Sequence, residues 1–200
     1  MLLRVLIFAL VLHTSIGDES EKIGSGSGPD RGHSNCPNAT ARILYYYDRS
    51  VDSCFPFLYE GCGGGGRVYY REAECRQYGP PLDAIFCPGR EEPVGHCDGK
   101  RKLTCPEGSY CVPRVWVNGI CCDKKKAEEW KKEFNPVCER NNVLMIESRR
   151  DPNKLRPLVG RDCSHKFCPE DSECVKGKHL AYCCGKTNPP KGMYRVRYDE

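Results

Sequence analysis

Cysteine is the residue type whose number and spacing most clearly indicate chemistry in this 200-residue chain. Sixteen cysteines lie between Cys36 and Cys184. An even count in an oxidising compartment predicts a disulfide framework, here of up to eight bridges. The main alternative is zinc, which favours CxxC pairs with histidine partners, but the sequence has no CxxC and its five histidines are scattered. We therefore predict disulfides, with no metal site and no cofactor.

Catalytic chemistry is not indicated by any motif. A nucleophile needs a base positioned beside it, and the bridge pattern occupies nearly every cysteine. Neither GxSxG nor HExxH occurs in the sequence. We predict that the protein is not an enzyme and name no catalytic residue.

Residues 1–17 have the character of a secretory signal peptide. They combine a cation at Arg4, an apolar run over Val5–Leu12 and a small residue at Gly17. A membrane anchor would need about 20 apolar residues, and this run is shorter. We predict a secreted, extracellular protein that does not bind a membrane.

The charge balance argues against nucleic acid as a partner. Loss of Arg4 with the signal peptide lowers the 31 basic residues to 30 against 27 acidic ones, a net charge of +3. Nucleic-acid-binding domains carry a much stronger basic excess.

The regions that flank the cysteines are polar. Residues 18–34 have almost no apolar content and are predicted to be a flexible linker. Within them, residues 24–28 read GSGSG after acidic residues, a pattern of glycosaminoglycan attachment sites, although their composition fits a plain linker better. Residues 187–200 are charged, contain proline and are predicted to be a disordered tail.

Twelve of the cysteines form two copies of one six-cysteine unit, at residues 86–123 and 137–186. The third and fourth cysteines enclose CPEGSYC in one copy and CPEDSEC in the other, and each copy ends in a CC pair. The first loop differs, with nine residues between cysteines in the first copy and 24 in the second. We predict three bridges in each copy and little regular structure, and six cysteines leave 15 connectivities open.

The segment between the two copies is predicted to be a short helical linker, residues 124–136. Ala127, Trp130 and Phe134 recur at i, i+3 and i+7, which is typical of an amphipathic helix. We expect Trp130 and Phe134 to pack on a neighbouring module.

Residues 35–80 form a module of their own with four cysteines. Tyr45–Asp48 and Phe55–Tyr59 are aromatic-rich runs joined by a polar turn, which predicts a hairpin. Tyr70–Gln77 consists of good helix formers and predicts a short helix. The expected fold class is therefore small, disulfide-rich and α+β in this module.

This module resembles the Kunitz (pancreatic trypsin inhibitor-like) family. The motif runs from Phe57 through three residues to Gly61-Cys62, then six residues to Tyr69 and five to Cys75. The resemblance implies a hairpin followed by a helix, disulfides Cys54–Cys75 and Cys36–Cys62, and a loop after Cys36 that enters the specificity pocket of a serine protease. The glycines at 63–66 would then keep a second backbone segment close to that loop.

The module departs from the family pattern at one disulfide. The family has a further cysteine four residues after Cys75, where this chain has Gly79, and no cysteine precedes Cys36. Both halves of one bridge are missing together, which suggests a tolerated two-bridge variant.

The loop also departs from the family pattern. Counted from Cys36, its primary contact residue, P1, is Pro37, followed by Asn38; counted back from the tyrosines, it is Ala39, because the segment is two residues longer than usual. Neither residue is basic, so a trypsin-like target is not expected. Asn38-Ala39-Thr40 is also an N-glycosylation sequon, and a glycan on Asn38 would stand where a protease docks.

The six-cysteine units resemble the lustrin-type repeats found beside Kunitz domains in secreted invertebrate proteins, particularly of nematodes. CPEDSEC also matches a fragment of whey acidic protein modules, but the spacing to the CC pair fits that family less well. The resemblance implies extracellular matrix proteins as partners and a place in structures such as cuticle. Two functions are thus predicted: a serine protease inhibitor or modulator, and alternatively a structural matrix or cuticle protein without inhibition.

Overall fold

The computed structural model of the protein describes residues 28–78, 86–98, 103–114, 118–148, 151 and 153–194. The predicted signal peptide and the predicted linker up to residue 27 lie outside these residues. Within the described ranges, no helix is both long enough and apolar enough to cross a membrane.

The N-terminal module is a three-stranded antiparallel sheet with one helix. Strand β1 pairs with β2 on one side and with β3 on the other, so that Tyr45 lies opposite Pro56 and Tyr69. The predicted hairpin and helix are confirmed, with strands that begin three and two residues earlier than expected. The elements are β1 (Arg42–Asp48), β2 (Ser53–Tyr59), β3 (Val68–Tyr69) and α1 (Glu72–Tyr78).

The hairpin is buried on both faces. Ile43–Tyr46 and Cys54–Phe57 are four-residue runs without an exposed position, although successive strand residues point to opposite faces. Ile43 and Tyr45 belong to one core cluster, and Leu44 and Tyr46 belong to the other. A continuous apolar run is the pattern of a strand that is covered on both sides.

Each six-cysteine unit contains a small antiparallel sheet, so the prediction of little regular structure was wrong. In both units the strand that carries the CC pair is central, and the strand that carries the fourth cysteine lies on one side of it. The first unit has β4 (Gly95–Cys97), β5 (Ser109–Val112) and β6 (Gly119–Asp123). The second has β7 (Asn142–Val143), β8 (Met145–Glu147), β9 (Leu155–Pro157), β10 (Val159–Gly160), β11 (Glu173–Lys176) and β12 (Ala181–Gly185).

All sixteen cysteines are paired in eight disulfides. Both units connect the first cysteine with the sixth, the second with the fourth and the third with the fifth. These bridges are Cys87–Cys122, Cys97–Cys111 and Cys105–Cys121 in the first unit, and Cys138–Cys184, Cys163–Cys174 and Cys168–Cys183 in the second. The shared connectivity agrees with the duplication indicated by the sequence.

The second unit and the N-terminal module share two core clusters. One cluster joins Tyr45 and Cys75 to Leu144, Leu158 and Phe167, all of them at most 1 % exposed. The first unit contributes to neither shared cluster and has a small one of its own, formed by Cys87, Ile120 and Cys122. The N-terminal module and the second unit are therefore packed as one body, although the sequence divides them into separate domains.

Helix α2 (Lys124–Glu133) lies where the three parts meet. Its N-terminus is capped by the Asp123 carboxylate, which accepts a hydrogen bond from the Lys126 N–H at 2.9 Å. Trp130 is 4 % exposed, stacks on His179 with ring centroids 4.5 Å apart, and lies against Gly89 of the first unit. The expected packing of Trp130 is confirmed, whereas Phe134 keeps 39 % of its surface exposed.

Both segments that were predicted to be flexible make specific contacts where the structure describes them. In residues 28–34, His33 exchanges two backbone hydrogen bonds with Cys62. In residues 187–194, Tyr194 is 9 % exposed and its carbonyl accepts a hydrogen bond from the Tyr45 hydroxyl at 2.9 Å. These polar segments bury a few anchoring groups, which an average over their composition hides.

Candidate functional site

The candidate loop begins at Cys36 and ends where β1 starts. A disulfide joins Cys36 to Cys62, and a second joins Cys54 on β2 to Cys75 on α1. These are the two pairings that the resemblance implies. The first fixes the loop to the segment after β2, and the second holds the helix against the hairpin.

The loop opens with a tight turn. The Ala39 N–H donates to the Cys36 carbonyl at 3.3 Å, and Asn38 has φ +62°. Proline at the first corner and asparagine with positive φ at the second are the residues that a type II turn favours. Pro37 and Asn38 therefore form the corners of a turn.

Gly61 supports the loop from behind. Its φ is +113°, and a Cβ there would lie 2.7 Å from the Thr40 nitrogen and 3.1 Å from the Ala39 carbonyl carbon. No real Cβ approaches a backbone so closely, so only glycine allows this contact. The segment after β2 thus packs directly on residues 39 and 40.

The glycines at 63–66 lie against the segment of residues 28–34, called the arm below, rather than against the loop. Gly63, Gly64 and Gly66 have positive φ, and a Cβ at Gly64 would lie 3.0 Å from the Asp30 carbonyl oxygen. A Cβ at Gly65 or Gly66 would meet nothing within 4 Å. The expectation of close backbone approach is met at Gly64, but the neighbouring segment there is the arm of residues 28–34.

Arg31 is a central residue of this region that sequence reasoning missed. Its Nε donates to the Leu58 carbonyl at 3.1 Å, one terminal nitrogen donates to the Ser164 carbonyl at 3.1 Å, and the other pairs with Glu60. A single charge in a segment rich in glycine and serine gives no sequence signal of such a role.

The contact surface of the loop is uncharged. Pro37, Asn38 and Thr40 are exposed, Ala39 is half-buried, and none of the four ionises. The nearest cation along the chain is Arg42, at the start of β1. A basic specificity residue of the kind that trypsin-like proteases select is absent from these positions.

Ionisable groups with perturbed pKa values lie away from the loop. Burial raises the pKa of Tyr45 and of Tyr46 well above their ordinary range, so both hydroxyls stay protonated. Hydrogen bonds from Ser164 and Lys176 lower the pKa of Asp162. Burial lowers the pKa of His165, which contacts the Tyr46 ring. These groups mark the junction of the module with the second unit.

In the part of the chain that the structure describes, three cysteine sulfurs lie as close together as the ligands of a metal ion would. The sulfurs of Cys97, Cys105 and Cys121 lie within 4.8 Å of one another, but each belongs to a disulfide. A metal ligand has to be a thiolate, so this cluster offers none.

Comparison with known proteins agrees with the geometry of this module. Residues 27–79 match the Kunitz/Bovine pancreatic trypsin inhibitor domain family. The match begins eight residues before the boundary that the sequence indicated and includes the arm.

Two relatives extend the similarity beyond that module. A BPTI/Kunitz inhibitor domain-containing protein of Caenorhabditis elegans is 38 % identical over 149 residues, which cover 74 % of this chain and 82 % of the relative. The major allergen Ani s 1 of Anisakis simplex is 28 % identical over 149 residues, covering 71 % and 75 %. Because the matched domain spans only residues 27–79, more than half of each alignment lies outside it.

A shorter alignment links the chain to a spider toxin. Kunitz-type U19-barytoxin-Tl1a of Trittame loki is 28 % identical over 97 residues, covering 39 % of this chain and 51 % of the toxin. No solved structure matches the chain significantly.

Proposed function

Because the chain belongs to the Kunitz inhibitor domain-containing proteins, we propose that it is a secreted inhibitor or modulator of serine proteases that are not trypsin-like, with Ala39 as its P1 residue. Kunitz domains bind serine proteases, and the fold and both disulfides of this module suit that role. The finer choice concerns which residue of the loop enters the specificity pocket of the protease.

The turn at Cys36–Ala39 is the observation that carries the assignment of Ala39. A protease binds its substrate as an extended strand, and the corners of a tight turn do not lie in such a strand. Pro37 and Asn38 occupy those corners. Ala39 follows them, and the segment through Thr40 is backed by Gly61. A small P1 side chain fits a protease with a shallow, elastase-like pocket.

A glycan on Asn38 would limit this activity. The Asn38 side chain is exposed at the second corner of the turn, directly beside Ala39. A branched oligosaccharide there would collide with the rim of a protease cleft. We propose that inhibition depends on whether this sequon is occupied.

Moving a cation to each candidate position tests the assignment. The test uses the full-length secreted protein with Asn38→Gln, which removes the sequon. In this background, Ala39→Arg should create inhibition of trypsin. Because a buried anchor residue carries several kcal/mol of binding energy, the gain should reach roughly 100-fold. Pro37→Arg is the matched control and should leave trypsin inhibition unchanged. Inhibition constants of each variant for trypsin, chymotrypsin, elastase and subtilisin provide the measurement.

The outcomes separate the possibilities. A gain at Pro37→Arg alone would place P1 at residue 37 and overturn the assignment of Ala39. No inhibition by any variant, including the unsubstituted protein after deglycosylation, would contradict an inhibitory function altogether.

A second candidate function is a structural one in extracellular matrix or cuticle, without inhibition. It is favoured by the non-extended start of the loop, and by the resemblance of the two cysteine-rich units to lustrin-type repeats. Matrix proteins would then be its partners. Retention of the secreted protein in an insoluble matrix fraction, together with no inhibition of the four proteases, would support this function over the first.

A further inference from the structure

The N-terminal module lacks a covalent tie between its two ends. Its arm precedes Cys36 without any cysteine, and Gly79 stands four residues after Cys75, where the Kunitz pattern has its last cysteine. The arm and helix α1 therefore need another restraint. The structure supplies one to each of them, and both come from the second six-cysteine unit.

The arm is held to the second unit at two points. Arg31 donates to the Ser164 carbonyl at 3.1 Å while it also binds Leu58 and Glu60 of its own module. Gly28 packs so closely on His165 that a Cβ would lie 2.2 Å from the imidazole Nε2. The arm then continues into the pairing of His33 with Cys62, which is the disulfide partner of Cys36.

Helix α1 is held by the same unit from another side. The Glu72 carboxylate in its first turn pairs with Arg156 of β9, and the Glu72 side chain is only 13 % exposed. Cys75 lies in the cluster that contains Leu144 and Leu158. The helix is thus restrained by an ion pair and by apolar packing in addition to its one disulfide.

Most of these contacts come from the loop in which the two units differ. The long loop between Cys138 and Cys163 contains Leu144, Arg156 and Leu158, whereas the corresponding loop of the first unit is much shorter. The first unit, with the short loop, takes no part in either shared cluster.

We propose that the second six-cysteine unit replaces the missing disulfide of the N-terminal module. Its long first loop and its Ser164–His165 turn clamp the arm and the helix, so the module and this unit fold and open together. This proposal concerns the scaffold and holds whether or not the loop inhibits a protease.

Partial reduction of the full-length protein tests the clamp. Mild reductant and alkylation, followed by mass spectrometry of the bridged peptides, give an opening rate for each disulfide. Leu144→Ala should increase the rate for Cys54–Cys75 by about tenfold, because that bridge opens only when the shared core loosens. Ile120→Ala, the matched change in the first unit, should accelerate Cys97–Cys111 and leave Cys54–Cys75 unchanged.

A milder variant keeps the test decisive if Leu144→Ala is not secreted. Arg156→Met retains the apolar stem of the side chain and removes only the ion pair with Glu72. It should increase the opening rate of Cys54–Cys75 by about threefold, a local effect on the helix. An unchanged rate for Cys54–Cys75, with faster opening of Cys163–Cys174 only, would show that the second unit loosens by itself and would overturn the proposal.

Discussion

The two six-cysteine units have the same bridges and different surroundings. Both connect their cysteines in one pattern, and both place the CC pair on the central strand of a small sheet. The first has a short first loop and a small cluster around Ile120. The second has a long first loop and shares two clusters with the Kunitz module.

This difference shows that the disulfides and the loop perform separate tasks. Units of about 40–50 residues bury too little apolar surface to be comfortably stable without crosslinks, and in both units three bridges fix the sheet. Whether a unit joins the core of the Kunitz module depends mainly on the apolar residues of its first loop. One duplicated framework has therefore produced a unit that depends mainly on its bridges and another that is integrated into a larger core.

The largest expected effect comes from emptying the shared core. Phe167 of the second unit is fully buried, and its ring packs against Gly160 of strand β10. Phe167→Ala should lower the free energy of unfolding by about 3–5 kcal/mol and unfold the Kunitz hairpin at the same urea concentration as the second unit. Urea unfolding followed by hydrogen exchange gives the measurement.

The control for this prediction lies in the first unit. Ile120→Ala should destabilise that unit by about 2–4 kcal/mol and leave the exchange of β1 and β2 amides unchanged. If both variants left the Kunitz hairpin equally protected, the core would not be shared in solution.

A smaller effect is expected where the first unit touches the rest of the molecule. Gly89 has φ +68°, and a Cβ there would lie 1.8 Å from Trp130 Cε2. Gly89→Ala strains the backbone and makes the new methyl group overlap the Trp130 ring. It should lower the free energy of unfolding by about 1–3 kcal/mol. Gly108→Ala is the control, because its φ is +79° but a Cβ would meet nothing within 4 Å.

Hydrogen exchange distinguishes the two glycine variants. Gly89→Ala should raise exchange in helix α2, where Trp130 must shift, while Gly108→Ala should not. Equal effects of both variants on α2 would indicate that the first unit is not seated on Trp130.

Local patterns in the sequence were sufficient for the elements of the Kunitz module. Aromatic runs, a polar turn and good helix formers led to β1, β2 and α1 within three residues at each start. The sheets of the two units were missed because their strands have two to five residues, too short for a period to emerge. Their central strands depend on the CC pairs, whose partners cannot be read from one sequence.

The shared core left a sequence signal that is clear only in retrospect. ILYYY and CFPFLY are continuous rather than alternating, which indicates strands covered on both faces. The sequence does not say what covers them. The sequence predicted the candidate loop at residues 37–39, but it gave no sign of the turn at Asn38 or of the packing of Gly61 on residues 39 and 40. Arg31 and Ser164 lie in distant parts of the chain, and no local pattern connects them.

A still smaller effect is expected from the ion pair that ties the hairpin to the second unit. Arg161 donates to the Asp48 carboxylate at 2.9 Å, with 31 % and 17 % of the two side chains exposed. Arg161→Ala removes this partly screened, charge-assisted hydrogen bond, together with the bond that Arg161 donates to the His179 carbonyl, and should lower the free energy of unfolding by about 1 kcal/mol. Lys176→Ala is the control, because the Lys176 side chain, which pairs with Asp162 in the same unit, is 71 % exposed. Urea unfolding of the two variants should give a measurable loss for the first and almost none for the second, and equal losses would contradict a tie across the junction.

The last expected effect is a pH dependence at the junction of the second unit with the Kunitz module. His165 is 7 % exposed, next to Tyr46 of the Kunitz hairpin. The charged groups that face it are Asp48, Asp162, Arg161 and Arg31. Burial lowers its pKa below the ordinary value of 6.5, mainly because the imidazolium is desolvated.

The sign of the effect follows from proton binding. Just below pH 6.5 the unfolded chain binds a proton at residue 165 that the folded protein resists, so stability contributed by the neutral imidazole is present above pH 6.5 and lost as the pH falls. One proton changes the free energy of unfolding by at most about 1.4 kcal/mol per pH unit. The free energy of unfolding, measured between pH 7.5 and 5, should therefore fall more steeply with decreasing pH for the unsubstituted protein than for His165→Gln. If the slope stayed the same in His165→Gln, the neutral imidazole would not contribute to the stability of the junction.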